Sequence, residues 1–308
     1  MADGAFDAEA LNRKDIMKGL IRSPLNEPST INNDMMNKAP ATPGGPSAQD
    51  QTAGAGFSQI DLLTVIGVLV LLGLLLTPAL ARTRLPDQAF RCRNNLRQLI
   101  QGWRMYAEDN NDKLPNSFDW FHGWLNYTAN NTDNTNISYL VNGLLGPYVK
   151  NPALYKCPAD MSQGTLGTNK LPRVMSVSMS QSFSYSNEGH LEDGTPGYWR
   201  HYQKSADMAL PAPANLWVMI DENPDSLNDA AYAVAMTPSG GRWQDGPSIL
   251  HDGGCGFAFA DGHSEIKQWT DRRTLALKVT YTTSFSYGQS QPNNPDIRWL
   301  QDRTSALK

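Results

Sequence analysis

The densest group of residues able to do chemistry is His251-Asp-Gly-Gly-Cys-Gly-Phe-Ala-Phe-Ala-Asp261-Gly262-His263. An imidazole beside a carboxylate or a second imidazole makes a base–acid pair or a set of metal ligands. A catalytic reading therefore pairs His251 with Asp261 or His263. A competing reading needs no catalysis. Asp-Gly suits a type I′ hairpin turn, where both central residues take φ > 0, and one histidine can satisfy backbone groups. A second group is acidic, Asp221-Glu-Asn-Pro-Asp-Ser-Leu-Asn-Asp229. Asp221, Glu222, Asp225 and Asp229 could together hold Ca²⁺, a hard cation that takes about six to eight oxygen ligands. EF-hand spacing is absent, however, and Asx-rich turns use the same residues for local hydrogen bonds. No other cofactor is called for. G-x-S-x-G, H-E-x-x-H and a Gly-rich phosphate loop are all missing, so the sequence offers no familiar hydrolase, metalloprotease or nucleotide signature.

The elements that must position these groups can be read from periodicity. Phe257 and Phe259 alternate with alanines, and Ile266 and Trp269 continue beyond Asp-Gly, which predicts a hairpin over 251–269. Asn215-Leu-Trp-Val-Met-Ile-Asp-Glu is an apolar run of strand length ending in acids, and Arg173-Val-Met-Ser-Val-Ser-Met-Ser alternates as a strand does. Leu140 to Val149 reads as a short helix. Phe90, Leu96, Leu99, Ile100, Trp103 and Ala107 recur at helical spacing, with Arg91, Arg93, Arg97 and Arg104 between them, and the pattern stops at Asp109-Asn-Asn-Asp112. Upstream, Leu62 to Ala81 is a run of 20 residues without a charge. As a helix it matches a hydrocarbon layer of about 30 Å. Pro78 within the run predicts a kink, and Pro86 beyond it a kink or a restart. Asp61 stands at its N-terminal edge, where a carboxylate in or near lipid needs a partner. At the far end Ile297, Trp299 and Leu300 form a last docking element before a frayed terminus.

Composition narrows the classes. The 308 residues carry a net charge of -4 and no Lys/Arg-rich cluster, so nothing points to a nucleic-acid partner. Three cysteines are too few for a disulfide scaffold and lack the paired spacing of a local zinc site. The eight Trp and eleven Tyr are spread along the chain, as residues for core packing are. Residues 1–56 are rich in Asn, Pro, Ala, Gly and Ser without apolar periodicity, and read as a disordered leader.

Gly56 directly precedes Phe57, Asp61 is the fifth residue counted from Phe57, and Pro78 is the twenty-second. To these add Arg91-Cys-Arg-Asn-Asn-Leu-Arg-Gln-Leu, Met105-Tyr-Ala-Glu-Asp-Asn, Tyr155-Lys-Cys-Pro-Ala-Asp160, and the nine residues between His251 and Asp261-Gly262. Together they resemble type IV pilins and pseudopilins with a prepilin-type cleavage and methylation signal and an H-X9-DG domain, as in pilin-like proteins of planctomycetes and verrucomicrobia. The resemblance implies cleavage by a prepilin peptidase between Gly56 and Phe57 and N-methylation of Phe57. It also implies assembly through Asp61, which would pair with the N-terminal amine of a neighbouring subunit. Implied partners are other pilin or pseudopilin subunits, an inner-membrane assembly platform and lipid. The implied location is the inner membrane, crossed once, with a periplasmic body. With the body outside the cytoplasm, Cys92 and Cys157 could form a disulfide worth about 4 kcal/mol in the chain-entropy model; two unrelated buried thiols are the alternative.

The expected fold is α+β, a long N-terminal transmembrane and amphipathic helix packed on an antiparallel sheet. The expected divisions are a leader 1–56, a helix 57–112 and a globular body 113–308. The function implied is a non-enzymatic structural subunit of a type II secretion or type IV pilus-like system. Two alternatives stand beside it. One is a membrane-anchored enzyme using His251, Asp261 and His263; the other is a sugar-binding module stacking on Trp120, Trp124, Trp199 or Trp243.

Overall fold

The computed structural model describes residues 58–185, 191, 198–236 and 241–308, with the backbone alone along 75–86. The expected leader and the Gly56–Phe57 junction lie outside the described residues. Ser58 to Lys308 form one compact unit.

Helix α1, Gln59–Asp109, is 51 residues long. Its start is fixed by a reciprocal cap: Ser58 Oγ accepts from the Ile60 amide, and the Asp61 carboxylate accepts from the Ser58 amide at 3.0 Å. It ends where Asn111 and Asp112 turn left-handed and the Asp112 amide returns to the Ala107 carbonyl. Ile60 through Leu74 leave their side chains exposed, whereas Cys92, Leu96, Leu99, Ile100, Trp103 and Ala107 form a buried stripe.

Expectations about the helix and the sheet are overturned. Among the described residues no helix is long and apolar enough to cross a membrane. Beyond Asp87 the helix carries Arg91, Arg93, Arg97 and Arg104 around its buried stripe, which makes that half a packing element. The helix runs through Pro78 and Pro86 without a break, so neither proline restarts it. The sheet is also mixed and not antiparallel, giving a mixed α/β fold.

A small hairpin, β1 (Gln163–Leu166) and β2 (Asn169–Pro172), precedes the main sheet. The main sheet contains β3 (Val177–Ser180), β4 (Trp217–Asp221), β5 (Ala231–Tyr232), β7 (Gly254–Phe259) and β8 (Ser264–Gln268), in the order β5-β3-β4-β7-β8. The β3–β5 pair is parallel and the others are antiparallel. A two-stranded ribbon of β6 (Arg242–Trp243) and β9 (Gln289–Ser290) lies apart. Three short helices follow among the described residues: α2 (Ser138–Val141), briefer than the expected 140–149 element, α3 (Arg272–Leu275) and α4 (Pro295–Gln301).

The sheet separates two cores. On one side Met179, Val218, Met219 and Ala258 meet the α1 stripe. On the other, Trp217, Ile220, Phe257 and Phe259 meet Trp243, Trp269, Ile297 and Leu300. Strict alternation along β4 would put Trp217 and Met219 in the same core. A register shift between these two residues against β7 breaks the alternation. Bulges re-aim the side chains that follow them. Met219 thereby joins Val218 on the helix side, Ile220 falls in the far core, and Asp221 is brought round toward α1.

Candidate functional site

Asp221 ends β4 in a closed pocket with three residues from three other places in the chain. Cys92 comes from the buried stripe of α1 and Cys157 from the loop after the 3₁₀ turn Pro152–Tyr155. His251 comes from the tight turn leading into β7. All four are buried. One ligand-capable atom from each, thiol sulfur, imidazole nitrogen or carboxylate oxygen, lies within 4.8 Å of the other three. Cys157 Sγ is 3.2 Å from His251 Nε2, and that same nitrogen is 3.5 Å from Asp221 Oδ2.

The local chain explains each position. Gly256 faces α1, and a Cβ there would lie 2.6 Å from Leu96 Cδ1 and 3.1 Å from Cys92 Sγ, so glycine lets the helix come down onto β7. Ser176 Oγ accepts from the Cys157 amide at 2.8 Å and donates to Asp221 Oδ1 at 3.3 Å, which fixes both residues at once. Asp252 and Gly253 take positive φ, and the His251 and Gly254 backbones bond each other across this turn, which sets the imidazole inward. Asp221 Oδ2 and His251 Nδ1 have no hydrogen-bond partner.

Proton affinities reflect this enclosure. A hydrogen bond with Cys157 lowers the Cys92 thiol, but burial and the nearby Asp221 and Cys255 outweigh it and push the thiol up to about 11. Burial drives Cys157 well above the ordinary thiol range. For His251 burial favours the neutral ring, yet the Asp221 carboxylate 3.5 Å away and the contact with Cys157 Sγ prevail and raise it to about 10.

A nucleophilic triad places the nucleophile and the orienting carboxylate on opposite nitrogens of the imidazole. Here both converge on Nε2. The sulfur is also buried with its pKa raised, the reverse of an activated thiolate. The arrangement therefore suits coordination better than acyl transfer. All four residues carry chemistry that the sequence announces, but in other groupings. Cys92 and Cys157 stand in this structure as free thiols beside a carboxylate and an imidazole.

The expected Ca²⁺ set does not converge. Glu222 is held by the Ser178 and Ser226 hydroxyls. Asp225 accepts from Tyr127, from the Thr280 amide and hydroxyl, and from the Tyr281 amide. Asp229 accepts from the Ala231 amide. Each of these carboxylates is taken up by its own hydrogen-bond partners, and Asp221 faces sulfur and nitrogen.

Nor do His251 and Asp261 meet. They lie at opposite ends of β7, so the nine-residue spacing is the length of one strand with its turns. Asp261 instead bonds His263 on the exposed turn, and its carbonyl accepts from Arg104 of α1 at 3.1 Å. Only Gly262 has positive φ there, at 98°, with Gly262 N donating to Phe259 O. This is a three-residue loop with a left-handed glycine, and the expected type I′ turn is corrected accordingly. Of the four tryptophans considered for sugar stacking, Trp120 and Trp243 are buried, with their indole N–H groups bonded to Ala230 O and Gln291 Oε1. Trp124 is exposed and Trp199 partly buried.

Missing from the sequence reading are Ser176, Gly256 and the β4 bulge. Gly256 alone left a trace, as one of the small residues alternating with large ones in β7. Comparison with known proteins returns no family model, no curated protein and no solved structure that matches this chain.

Proposed function

We propose that the chain is a pilin-like structural subunit, assembled with copies of itself or related subunits through the first part of α1 and carrying the remainder as a globular head. The observation that carries this reading is the exposure of Ile60, Leu62, Leu63, Val65, Ile66, Val68, Leu69, Leu72 and Leu74, most of them about half exposed or more. So much contiguous apolar surface on one helix calls for cover, and the like segments of neighbouring subunits supply it. The Gly56-Phe57 junction and Asp61 add support through their likeness to the prepilin signal. On this reading a prepilin peptidase is the processing partner, an assembly platform the site of incorporation, and the inner membrane, with the head on its periplasmic side, the location.

The capping geometry shapes the test. Asp61 supports its own helix through Ser58, so Asp61→Ala removes both a cap and a carboxylate. Ser58→Ala weakens the cap and leaves the carboxylate in place. In cells producing the processed protein, Asp61→Ala is expected to abolish recovery in sheared filaments, while Ser58→Ala retains most of it. Equal recovery of wild type and Asp61→Ala would refute the assembly role. An N-terminus other than N-methyl-Phe57 on the extracted protein would remove the processing step.

A further inference from the structure

We propose that Cys92, Cys157, Asp221 and His251 form a structural site for a tetrahedral divalent transition-metal ion of the Zn²⁺ class, which fastens α1 to the sheet. Two thiolates, an imidazole and a carboxylate are the donor types such an ion selects. Metal–donor bonds of about 2.0–2.3 Å at tetrahedral angles require donors about 3.3–3.8 Å apart. The observed 3.2 Å between Cys157 Sγ and His251 Nε2 and 3.5 Å between Nε2 and Asp221 Oδ2 already lie near those separations.

Two further observations point the same way. Asp221 Oδ2 is buried without a hydrogen-bond donor, while its other oxygen is held by Ser176. Oδ2 faces two sulfurs and, at 3.5 Å, His251 Nε2, which are the donor groups one metal ion would join. A Cys92–Cys157 disulfide would leave that carboxylate and the imidazole as they are, whereas a metal engages all four groups. Ser176 on Asp221 Oδ1 is also the kind of outer hydrogen bond that orients a ligating carboxylate. A groove of about 520 Å³ lined by Arg91, Asn95, Lys156, Cys157 and Asp160 brings the outer surface up to Cys157, one of the four residues.

On binding, metal–sulfur bonds replace the S–H bonds of Cys92 and Cys157, and His251 ligates through neutral Nε2. The displaced protons pass to solvent, and no electrons are transferred. Four protein ligands close the coordination sphere, so the site is structural and not catalytic. The ligands come from α1, a loop, the end of β4 and the turn before β7, and one ion therefore cross-links the helix to the sheet.

The test uses the full chain, purified under reducing conditions, stripped with a chelator and titrated with Zn²⁺ and with Co²⁺. One Zn²⁺ per chain is expected, with a rise in melting temperature. The Co²⁺ form should show the strong visible bands of a tetrahedral ion and a thiolate charge-transfer band. Cys92→Ser, Cys157→Ser, Asp221→Asn and His251→Gln should each weaken Zn²⁺ binding by about 100-fold or more. Cys255→Ser, which alters a neighbouring buried thiol outside the set, should keep it. Wild-type protein that takes up no stoichiometric Zn²⁺, or that gives a Co²⁺ spectrum without thiolate character, would overturn the proposal whether or not the variants fold. So would a Cys92–Cys157 disulfide found by non-reducing mass spectrometry in protein isolated without reductant.

Discussion

At the residue scale the least expected group is Asp245. Its carboxyl is buried, and its Oδ2 accepts from the Ala233 amide at 2.6 Å. Burial raises its pKa to about 8, although the Ala233 hydrogen bond pulls the other way and Asp229 adds a smaller upward push. An unfolded aspartate releases its proton near pH 4. Between about pH 4 and pH 8 the folded chain therefore holds a proton that the unfolded chain has lost. Stability from this group is complete at the acid end and falls as pH rises through that window. Asp245→Asn keeps an acceptor for Ala233 and removes the titration. The variant should be more stable than wild type near pH 8 and close to it near pH 4, as read by urea unfolding at both values. Parallel stability profiles for the two proteins would contradict this account.

At the scale of elements, α1 and the β7–β8 hairpin form the frame of the site, and both left marks in the sequence. The 3.6-residue recurrence of Leu96, Leu99, Ile100, Trp103 and Ala107 is the buried stripe, and the alternation of Phe257 and Phe259 with small residues is β7 with its helix-facing side. Local periodicity reports such faces because each residue's burial depends on its neighbours along one element. The four-residue cluster was not legible as a unit. Zinc spacing rules describe ligands paired within a turn, whereas here each ligand comes from a different element and only folding brings them together. The bulge in β4, which decides where Asp221 points, has no sequence signature at all. Gly256 is the element-level prediction. Alanine there would set a Cβ 2.6 Å from Leu96 Cδ1 and 3.1 Å from Cys92 Sγ. Overpacking of this kind costs about 1–3 kcal/mol. Gly256→Ala should lower the melting temperature and loosen α1, seen as faster amide exchange over 92–103. Unchanged exchange there would show that the close approach is not what seats the helix.

At the scale of the whole molecule, the two ends of the described chain act on opposite faces of one sheet. The second half of α1 covers one face. The other is closed by α4, capped where Asn294 Oδ1 accepts from the Asp296 and Ile297 amides and Pro295 starts the helix. The last residues, expected to fray, are instead tied in. Thr304 Oγ1 accepts from the Trp217 indole, the Arg200 amide donates to Ala306 O, and the Lys308 amide donates to Tyr198 O. The sequence hid this because Thr, Ser and Gln near a terminus look the same whether solvated or bonded. The first part of α1 is the opposite case, since Ile60 to Leu74 leave their apolar side chains exposed and none of them belongs to either core. A chain starting at Asp87 should therefore fold, unfold cooperatively and remain a monomer in sedimentation. A chain starting at Ser58 should self-associate in a concentration-dependent way unless detergent covers Ile60 to Leu74. Replacing Leu63, Ile66 and Leu69 with glutamine in that longer chain should return it to a monomer without changing its melting temperature. Sedimentation as a monomer without detergent before those replacements would mean that the exposed face does not drive assembly.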